Sequence, residues 1–349
     1  MTDTESLALS VVLVTRNSAD FVAAAISSLA GVAHEVIVVD NGSEDDTVAI
    51  VKRRAPEALL FENAVNRGFG AAANQGLRAS RADLVMFLNP DAELLPGAVR
   101  LLITVIEAHP QLALVGPQLI DSSGGLQTSH AAFRWPAERF WGHLPRASRA
   151  LRSWRVGPQH VQRGVGGQQD RFAVRAAGAV VDRDRTVALA SATAPGVCTV
   201  DWVLGACMLG RRELLVMAGG FDEGYFMYAE DMDLCYRLWR QGYQIGYCPD
   251  ARVCHLGNAS GHRHFGEARE AAVIRGQLRF LRIHGGIVSD LAFRLLAVPF
   301  FLAKMAVFMA GAVVAPTPRA RQHRADARRC LYVLRALTGL GMKRPRVPT

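Results

Sequence analysis

Residues 34–47 read HEVIVVDNGSEDDT. The β-branched run Val36–Val39 leads into a carboxylate, Asp40, and then into a turn of Asn, Gly and Ser. An unbroken apolar run of this length reads as a strand buried on both faces of a parallel sheet. Upstream, LALSVVLVTRN (7–17) has the same form, and residues 20–30 carry helical spacing through Phe21, Val22, Ala25, Ile26 and Leu29. Downstream, residues 46–54 read as a helix and Leu59–Glu62 as a short strand. NRGFGAAANQGLRAS (66–80) is a glycine-rich turn opening a helix, and DLVMFLNPDAEL (83–94) is a further buried strand. Residues 96–108 read as a helix with Pro96 near its start, a position that tolerates proline.

This alternation predicts an α/β fold with a mostly parallel sheet, flanking helices and right-handed crossovers. Ligands of such sheets lie beyond the carboxyl ends of the strands. Thr15–Asn17, Asp40–Ser43 and Asn89–Asp91 are therefore expected on one rim.

The remainder departs from the pattern. Residues 130–198, with Trp135, Trp141, Trp154 and an arginine excess, read as an inserted arm. Residues 200–214 return to strand and helix, 221–241 hold an acidic cluster leading into a helix, and 243–257 read as a strand pair or a strand and turn. A helix is expected over 267–283, an apolar segment over 291–315 and a basic helix over 319–340. The expected division is a catalytic domain over 1–261, interrupted by 130–198, and a helical tail over 262–349.

A chain of 349 residues, half of them hydrophobic, can bury one large core or two modest ones, which excludes a disulfide scaffold, a collagen-like fibre and a disordered chain. Its net charge of +9 is segregated. Residues 1–129 together with 191–261 carry 13 basic and 23 acidic side chains; 130–190 carry 11 and 4; 262–349 carry 16 and 4. An acidic body thus bears a basic insert and a basic tail. The six cysteines form no CxxC pair, which argues against a zinc ribbon or a thioredoxin-like centre and fits reduced thiols in a cytosolic compartment. MTDTESLALS lacks the basic start and apolar run of a signal peptide.

Several clusters carry chemistry. Asp40 can accept hydrogen bonds from a nucleotide base or ribose, or cap the turn that follows it. Asn66–Gly70, with Asn74, puts small residues at a helix start, where phosphate is favoured; an ordinary glycine turn fits equally. In Asn89-Pro90-Asp91 a carboxylate beside an amide suits a hard divalent cation, or an Asx turn. FDEGYFMYAEDMDLCYRL (221–238) crowds Glu230, Asp231 and Asp233 into four positions flanked by aromatic residues. Such acids raise one another's pKa, and one of them can act as a general base toward an acceptor hydroxyl. His255 reads as a structural histidine unless the fold brings it near Asp91. The dinucleotide signature GxGxxG is missing after the first strand, which counts against a nicotinamide enzyme.

In order, SVVLVTRN, VIVVDNGSEDDT, NRGFGAAAN, FLNPDAEL, GACMLGRREL, GGFDEGYFMYAEDMDLCYRL and a downstream histidine resemble a family 2 glycosyltransferase of the GT-A (Rossmann-like) fold. Within that family the chain is most similar to bacterial rhamnosyltransferases of cell-wall and O-antigen assembly. The resemblance implies an inverting, metal-dependent hexosyl transfer to a lipid-linked or cell-wall glycan hydroxyl, with dTDP-rhamnose as the expected donor and a UDP- or GDP-hexose as the alternative. It assigns Thr15, Asn17 and Asp40 to the nucleotide and Asn66, Arg67, Gly68, Gly70 and Asn74 to support of its diphosphate. Asn89-Pro90-Asp91 stands where the family has DxD, so Asp91 would ligate Mg²⁺ or Mn²⁺, with His255 matching a ligand of some members. Glu230-Asp231 matches the catalytic pair, with Asp231 as base. Two rival functions fare worse: a sugar-phosphate nucleotidyltransferase lacks its glycine- and lysine-rich motif in TRNSADF, and the intact Glu-Asp pair argues against a non-catalytic binding module.

LLAVPFFLAKMAVFMAGAVVA (295–315) is long enough to cross a bilayer, but Lys304 at its centre and Pro299 favour an interfacial or re-entrant helix. Arginines on both sides suit an anionic membrane surface and a polyprenyl diphosphate acceptor. No nucleic-acid module accompanies them. The expected location is the cytoplasmic face of a bacterial plasma membrane, peripheral or monotopic.

Overall fold

The computed structural model describes residues 9–133, 187–189, 196–256 and 265–339. Strand β1 (Leu9–Thr15) runs parallel to β2 (Glu35–Asp40), which in turn pairs in parallel with β3 (Leu59–Glu62). On its other side β1 pairs in parallel with β4 (Leu84–Leu88). The strand order therefore reverses at β1, and the carboxyl ends of β1, β2 and β4 open on one crevice. Helices α1 (Val22–Ser27), α2 (Thr47–Arg54), α3 (Phe69–Ala79) and α4 (Ala98–Ala108) follow the expected order. Alternate residues of each strand enter two separate cores: Val11, Leu13, Met86 and Leu88 on one face, Val12, Val85 and Phe87 on the other. Burial on both faces explains why these strands read as continuous apolar runs.

The sheet continues from β4 through β11 (Cys207–Arg211), β6 (Leu112–Ile120), β12 (Gln244–His255), β9 (Val197–Val200) and β8 (Val187–Leu189), and is mixed beyond β4. Strand β5 (Ala92–Leu94) separates from β4 and pairs with β12, so the expected strand over 83–94 is two strands. β6 (Leu112–Ile120) has no counterpart among the expected strands; Gly116 and Pro117 interrupt its apolar run. β7 (His130–Ala131) forms a separate antiparallel ladder with β10 (Trp202–Val203). β8 (Val187–Leu189) pairs with β9 (Val197–Val200). Most of the expected arm over 130–198 lies outside the described residues.

β11 (Cys207–Arg211) is antiparallel to both β4 and β6. An antiparallel strand brings its entry, not its exit, to the rim: Cys207 lies opposite Leu88, and Asn89 N–H donates to the Ala206 carbonyl at 2.9 Å. Helices α5 (Arg212–Met217) and α6 (Glu230–Arg240) follow. Residues 243–257 contain one long strand, β12 (Gln244–His255), rather than a pair. Its register with β6 shifts between Cys248 and Arg252, opposite Pro117, which has no N–H to donate. β12 ends with His255 opposite Ala92.

Three helices close the described chain: α7 (Arg269–His284), α8 (Gly286–Val314) and α9 (Thr317–Thr338). They share a core that includes Leu278, Phe293, Ala297, Phe301 and Val333. The outward face of α8 stays apolar, with Leu295 at 76% and Val313 at 84% exposure. Lys304 Nζ sits over the Phe301 and Phe308 rings, 5.6 and 5.9 Å from their centroids.

Candidate active site

A cavity of about 380 Å³ opens where the strand ends converge. That is ligand-sized, and it lies where a doubly wound sheet binds its ligand. Thr15 and Asn17 from β1, Asn66 before α3, Asn89 and Asp91 after β4, Glu230 and Asp231 of α6 and His255 of β12 all line it. Eight of the expected site residues are thus brought together across 241 positions of sequence.

The other five do not line the cavity. Asp40 is buried, and its carboxylate accepts from Thr15 Oγ1 at 2.9 Å, Ser43 Oγ at 2.6 Å and Ser43 N–H at 2.8 Å. It braces the turn after β2, the capping alternative for this residue. Asn41, next in sequence, lines the cavity instead and donates to Asn66 Oδ1 at 2.8 Å. Gly68 and Gly70 make room for neighbouring protein. Phe69 N–H at the start of α3 donates to the Phe226 carbonyl at 2.9 Å, and a Cβ on Gly68 would meet that oxygen at 2.5 Å. Gly70 packs against Phe221. Arg67 is exposed. Asn74 is buried and bridges Phe221, donating to its carbonyl and accepting from its N–H, both at 2.8 Å.

The acidic cluster divides by environment. Asp233 faces inward and is 1% exposed; it accepts from Arg237 Nε and His284 Nε2, each at 2.7 Å. Burial alone would raise its carboxyl, but these partners hold it below the usual range. Asp231 Oδ2 accepts from Gly205 N–H at 2.9 Å and Oδ1 from Met232 N–H at 2.8 Å. Burial raises the Asp231 carboxyl against those two hydrogen bonds. Glu230 is pushed up to about 8, first by burial and then by the charge of Asp231. Its Oε2 makes no hydrogen bond among the described residues. Glu230 is therefore poised to hold a proton near neutral pH.

The chain kinks sharply before this pair. Tyr228 and Ala229 have φ of 72° and 71°. Left-handed backbone at a non-glycine residue costs on the order of 1–3 kcal/mol and persists only where the surroundings enforce it.

Also lining the cavity, His255 Nε2 lies 3.6 Å from Asp91 Oδ1, beyond hydrogen-bond reach. Both side chains are buried, and burial lowers the imidazole pKa against the opposing charge of Asp91, keeping the ring neutral. Gln127 fixes which nitrogen carries the proton. Its Nε2 donates to the His255 carbonyl at 2.7 Å, which turns Oε1 toward His255 Nδ1 at 3.0 Å. Nδ1 is then the donor, and Nε2 presents a lone pair. Nε2 has no hydrogen-bond partner among the described residues. A buried imidazole lone pair beside a buried carboxylate fits a divalent cation. Among the described residues no cluster of three His, Cys, Asp or Glu side chains forms a closed cage. Two protein ligands suit Mg²⁺ or Mn²⁺, whose other positions go to substrate phosphate and water.

Structure adds residues that the sequence did not single out. Arg16 donates to the Asn41 carbonyl at 3.0 Å and the Gly42 carbonyl at 2.6 Å while lining the cavity. It stands inside the VTRN motif, so its position was visible and its role was not. Gly205 and Gln127 reach the site through pairings that no local pattern encodes. Arg269, Val273 and Gln277, spaced four apart, line the cavity from one stripe of α7, beyond the boundary expected at 261/262.

The chain belongs to the family 2 glycosyltransferases: residues 10–162 match the model of glycosyl transferase family 2, and residues 149–315 match that of glycosyl transferase family group 2. Its fold is GT-A. Among its relatives is the N-acetylglucosaminyl-diphospho-decaprenol L-rhamnosyltransferase of Mycobacterium tuberculosis, 30% identical over 231 residues. That match takes in 63% of this chain and 66% of the relative, slightly under two thirds of its length. The rhamnosyltransferase WbbL of Escherichia coli is 42% identical over 69 residues, 20% of this chain and 26% of its own. A mannosyltransferase of Pyrobaculum calidifontis, solved with GDP-mannose and Mn²⁺, superimposes with a TM-score of 0.52 at 17% identity, over 96% of this chain and 87% of its own.

Proposed function

We propose that this protein is an inverting glycosyltransferase that moves L-rhamnose from dTDP-rhamnose to a hydroxyl of a lipid-linked or cell-wall glycan acceptor. The observation that carries the reading is the arrangement of one cavity. Asp231, aimed by two backbone N–H groups, and the Asp91–His255 pair line the same space. In the proposed reaction Asp231 removes the proton of the acceptor hydroxyl as its oxygen attacks the anomeric carbon. The bond to the diphosphate breaks on the opposite face, so no covalent intermediate with the protein forms. Mg²⁺ or Mn²⁺, held by Asp91 and His255, would offset the charge that develops on the departing diphosphate. Thr15, Asn17, Asn41 and Asn66 would hold the nucleotide, with Asp40 bracing Thr15 from behind.

The M. tuberculosis relative, named for an L-rhamnosyl transfer to a decaprenol-linked sugar, favours rhamnose and a polyprenyl-linked acceptor here. The three C-terminal helices favour a monotopic seat on the cytoplasmic face of the membrane. Among the described residues, α8 alone is long and apolar enough to cross a bilayer. It packs along α9, however, whose outer face exposes Arg321, Arg324, Arg328 and Arg335. A crossing α8 would drag those charges into hydrocarbon or lose its core. Lying in the surface, α8 buries its apolar face while α9 meets anionic headgroups.

A thermal-shift panel of nucleotide sugars with Mn²⁺ tests the donor. Stabilisation by dTDP-rhamnose above all others is expected. A clear preference for a UDP- or GDP-hexose overturns the rhamnose assignment, and silence toward every nucleotide sugar overturns the transferase.

A further inference from the structure

We propose that α7 is a clamp that holds the kink at Tyr228–Ala229, and with it the Glu230–Asp231 pair, in its working geometry, with Gly276 and His284 as positioning residues. The kink is two consecutive left-handed non-glycine residues directly before the pair. Something outside the segment must impose it. α7 meets the segment on both sides of the kink.

At the kink itself, Gly276 gives the closest approach. A Cβ there would collide with the Tyr228 carbonyl oxygen and lie 3.1 Å from the Ala229 Cβ. Two turns earlier, Arg269 Nε donates to Tyr228 Oη at 3.2 Å, and its guanidinium lies 5.5 Å from the centre of the ring. Ahead of the kink, Arg279 donates to both carboxylate oxygens of Asp222, at 3.0 and 2.8 Å. Behind it, His284 Nε2 reaches Asp233 in the first turn of α6 at 2.7 Å. The carboxylate of Asp233 is ionised and also bound by Arg237, so the imidazole N–H has a fixed acceptor. Four residues of one helix thus fix the segment that ends in Asp231. Glycine at 276 follows from this, since any side chain would lift α7 off the kink.

The kinetic arm of the test rests on the glycosyltransferase reading; the exchange arm does not. Gly276→Ala is compared with wild-type protein at full length, with His284→Gln as the second variant and exposed Arg282→Ala as the control. Amide hydrogen exchange over residues 225–233 is expected to speed up by about tenfold in both variants while the strands of the sheet stay protected. kcat is expected to fall by about tenfold or more, with donor KM and the dissociation constant for nucleoside diphosphate with Mn²⁺ within about twofold. Arg282→Ala should match wild type in both arms. Folded Gly276→Ala with wild-type exchange and kcat overturns the clamp. So does faster exchange spread over the whole sheet in both variants, because the contacts would then serve the fold at large. Wild-type protein without any sugar transfer would end the transferase reading and leave the exchange arm to decide the clamp.

Discussion

The backbone N–H of Gly205 is hydrogen-bonded to Asp231 Oδ2 at 2.9 Å, tying the entry of an antiparallel strand to the first turn of α6. With Met232 N–H on the other oxygen, this bond sets the direction of the carboxylate. Asp231→Asn preserves the shape and removes the base. Transfer should fall by roughly 10²–10⁴-fold with nucleotide-sugar affinity retained. Steady-state kinetics paired with calorimetry check this, and an Asn variant with wild-type kcat would remove Asp231 from the chemistry.

The raised carboxyls of Glu230 and Asp231 give a pH dependence with a definite sign. The base must be ionised, so kcat/KM should climb with pH, with its inflection above that of an ordinary aspartate. Folding runs the other way. A carboxyl raised to about 8 in the native state favours its protonated form, so its contribution is greatest below the unfolded value and is lost as pH rises toward 8. Glu230→Gln should therefore melt above wild type at pH 8 and close to it at pH 4. An unchanged difference between those pH values would refute the shift.

Asp91→Ala and His255→Ala should each weaken Mn²⁺ binding in the presence of nucleoside diphosphate, and a chelator should stop transfer. Gln127→Leu leaves both ligands in place but frees the ring of His255 to change tautomer. Loss of such a supporting hydrogen bond typically costs 10–100-fold in metal affinity. Manganese titration followed by electron paramagnetic resonance reads it without reference to turnover. Equal affinity in all four proteins would remove the metal from the Asp91–His255 pair.

Asn74 was expected beside the diphosphate and instead bridges both backbone polar groups of Phe221. Asn74→Ala should lower stability by about 1–3 kcal/mol, the cost of leaving buried polar groups unpaired. Nucleotide affinity of the folded protein should not change. Chemical denaturation and calorimetry separate the two effects, and weaker nucleotide binding at wild-type stability would return Asn74 to the cavity wall.

Charge reversal on α9 (Arg321→Glu with Arg324→Glu) and an acidic residue on α8 (Leu295→Asp) should each release the protein from vesicles that contain anionic lipid. Only the first effect should be mimicked by salt, because screening acts on the charges and not on the apolar face. Co-sedimentation at low and high ionic strength distinguishes them. Binding that survives both changes would move the membrane contact elsewhere.

The amino-terminal half of the sheet was legible because β1, β2 and β4 are largely buried on both faces and each crossover is a helix. Apolar run and helical spacing therefore alternate in plain sequence. Legibility ended at β6, where Gly116 and Pro117 break the run, and at β12, whose bulge resembles a turn. Within the site, residues at the carboxyl ends of parallel strands could be anticipated, since the crevice position is fixed by topology. Gly205 could not, because β11 runs backwards and presents its first residues to the rim. Gln127 and Gln277 reach the cavity region from a loop and from a tail helix, and a lone glutamine carries no signature in either. Asp40 and Gly68, residue types suited to ligands, also hold protein against protein.

The short ladder of β7 and β10 has a consequence for how such a chain can diversify. His130–Ala131 and Trp202–Val203 lie side by side, and Leu204 N–H donates to the Ser129 carbonyl at 3.0 Å. The chain passes this ladder after Ala131 and returns to it at Trp202. Changes of length or composition between Phe133 and Val187 can leave that ladder, and the approach of Gly205 to Asp231, in place. A lineage under pressure to accept a new ligand can rewrite that stretch while the wall of the cavity keeps its geometry.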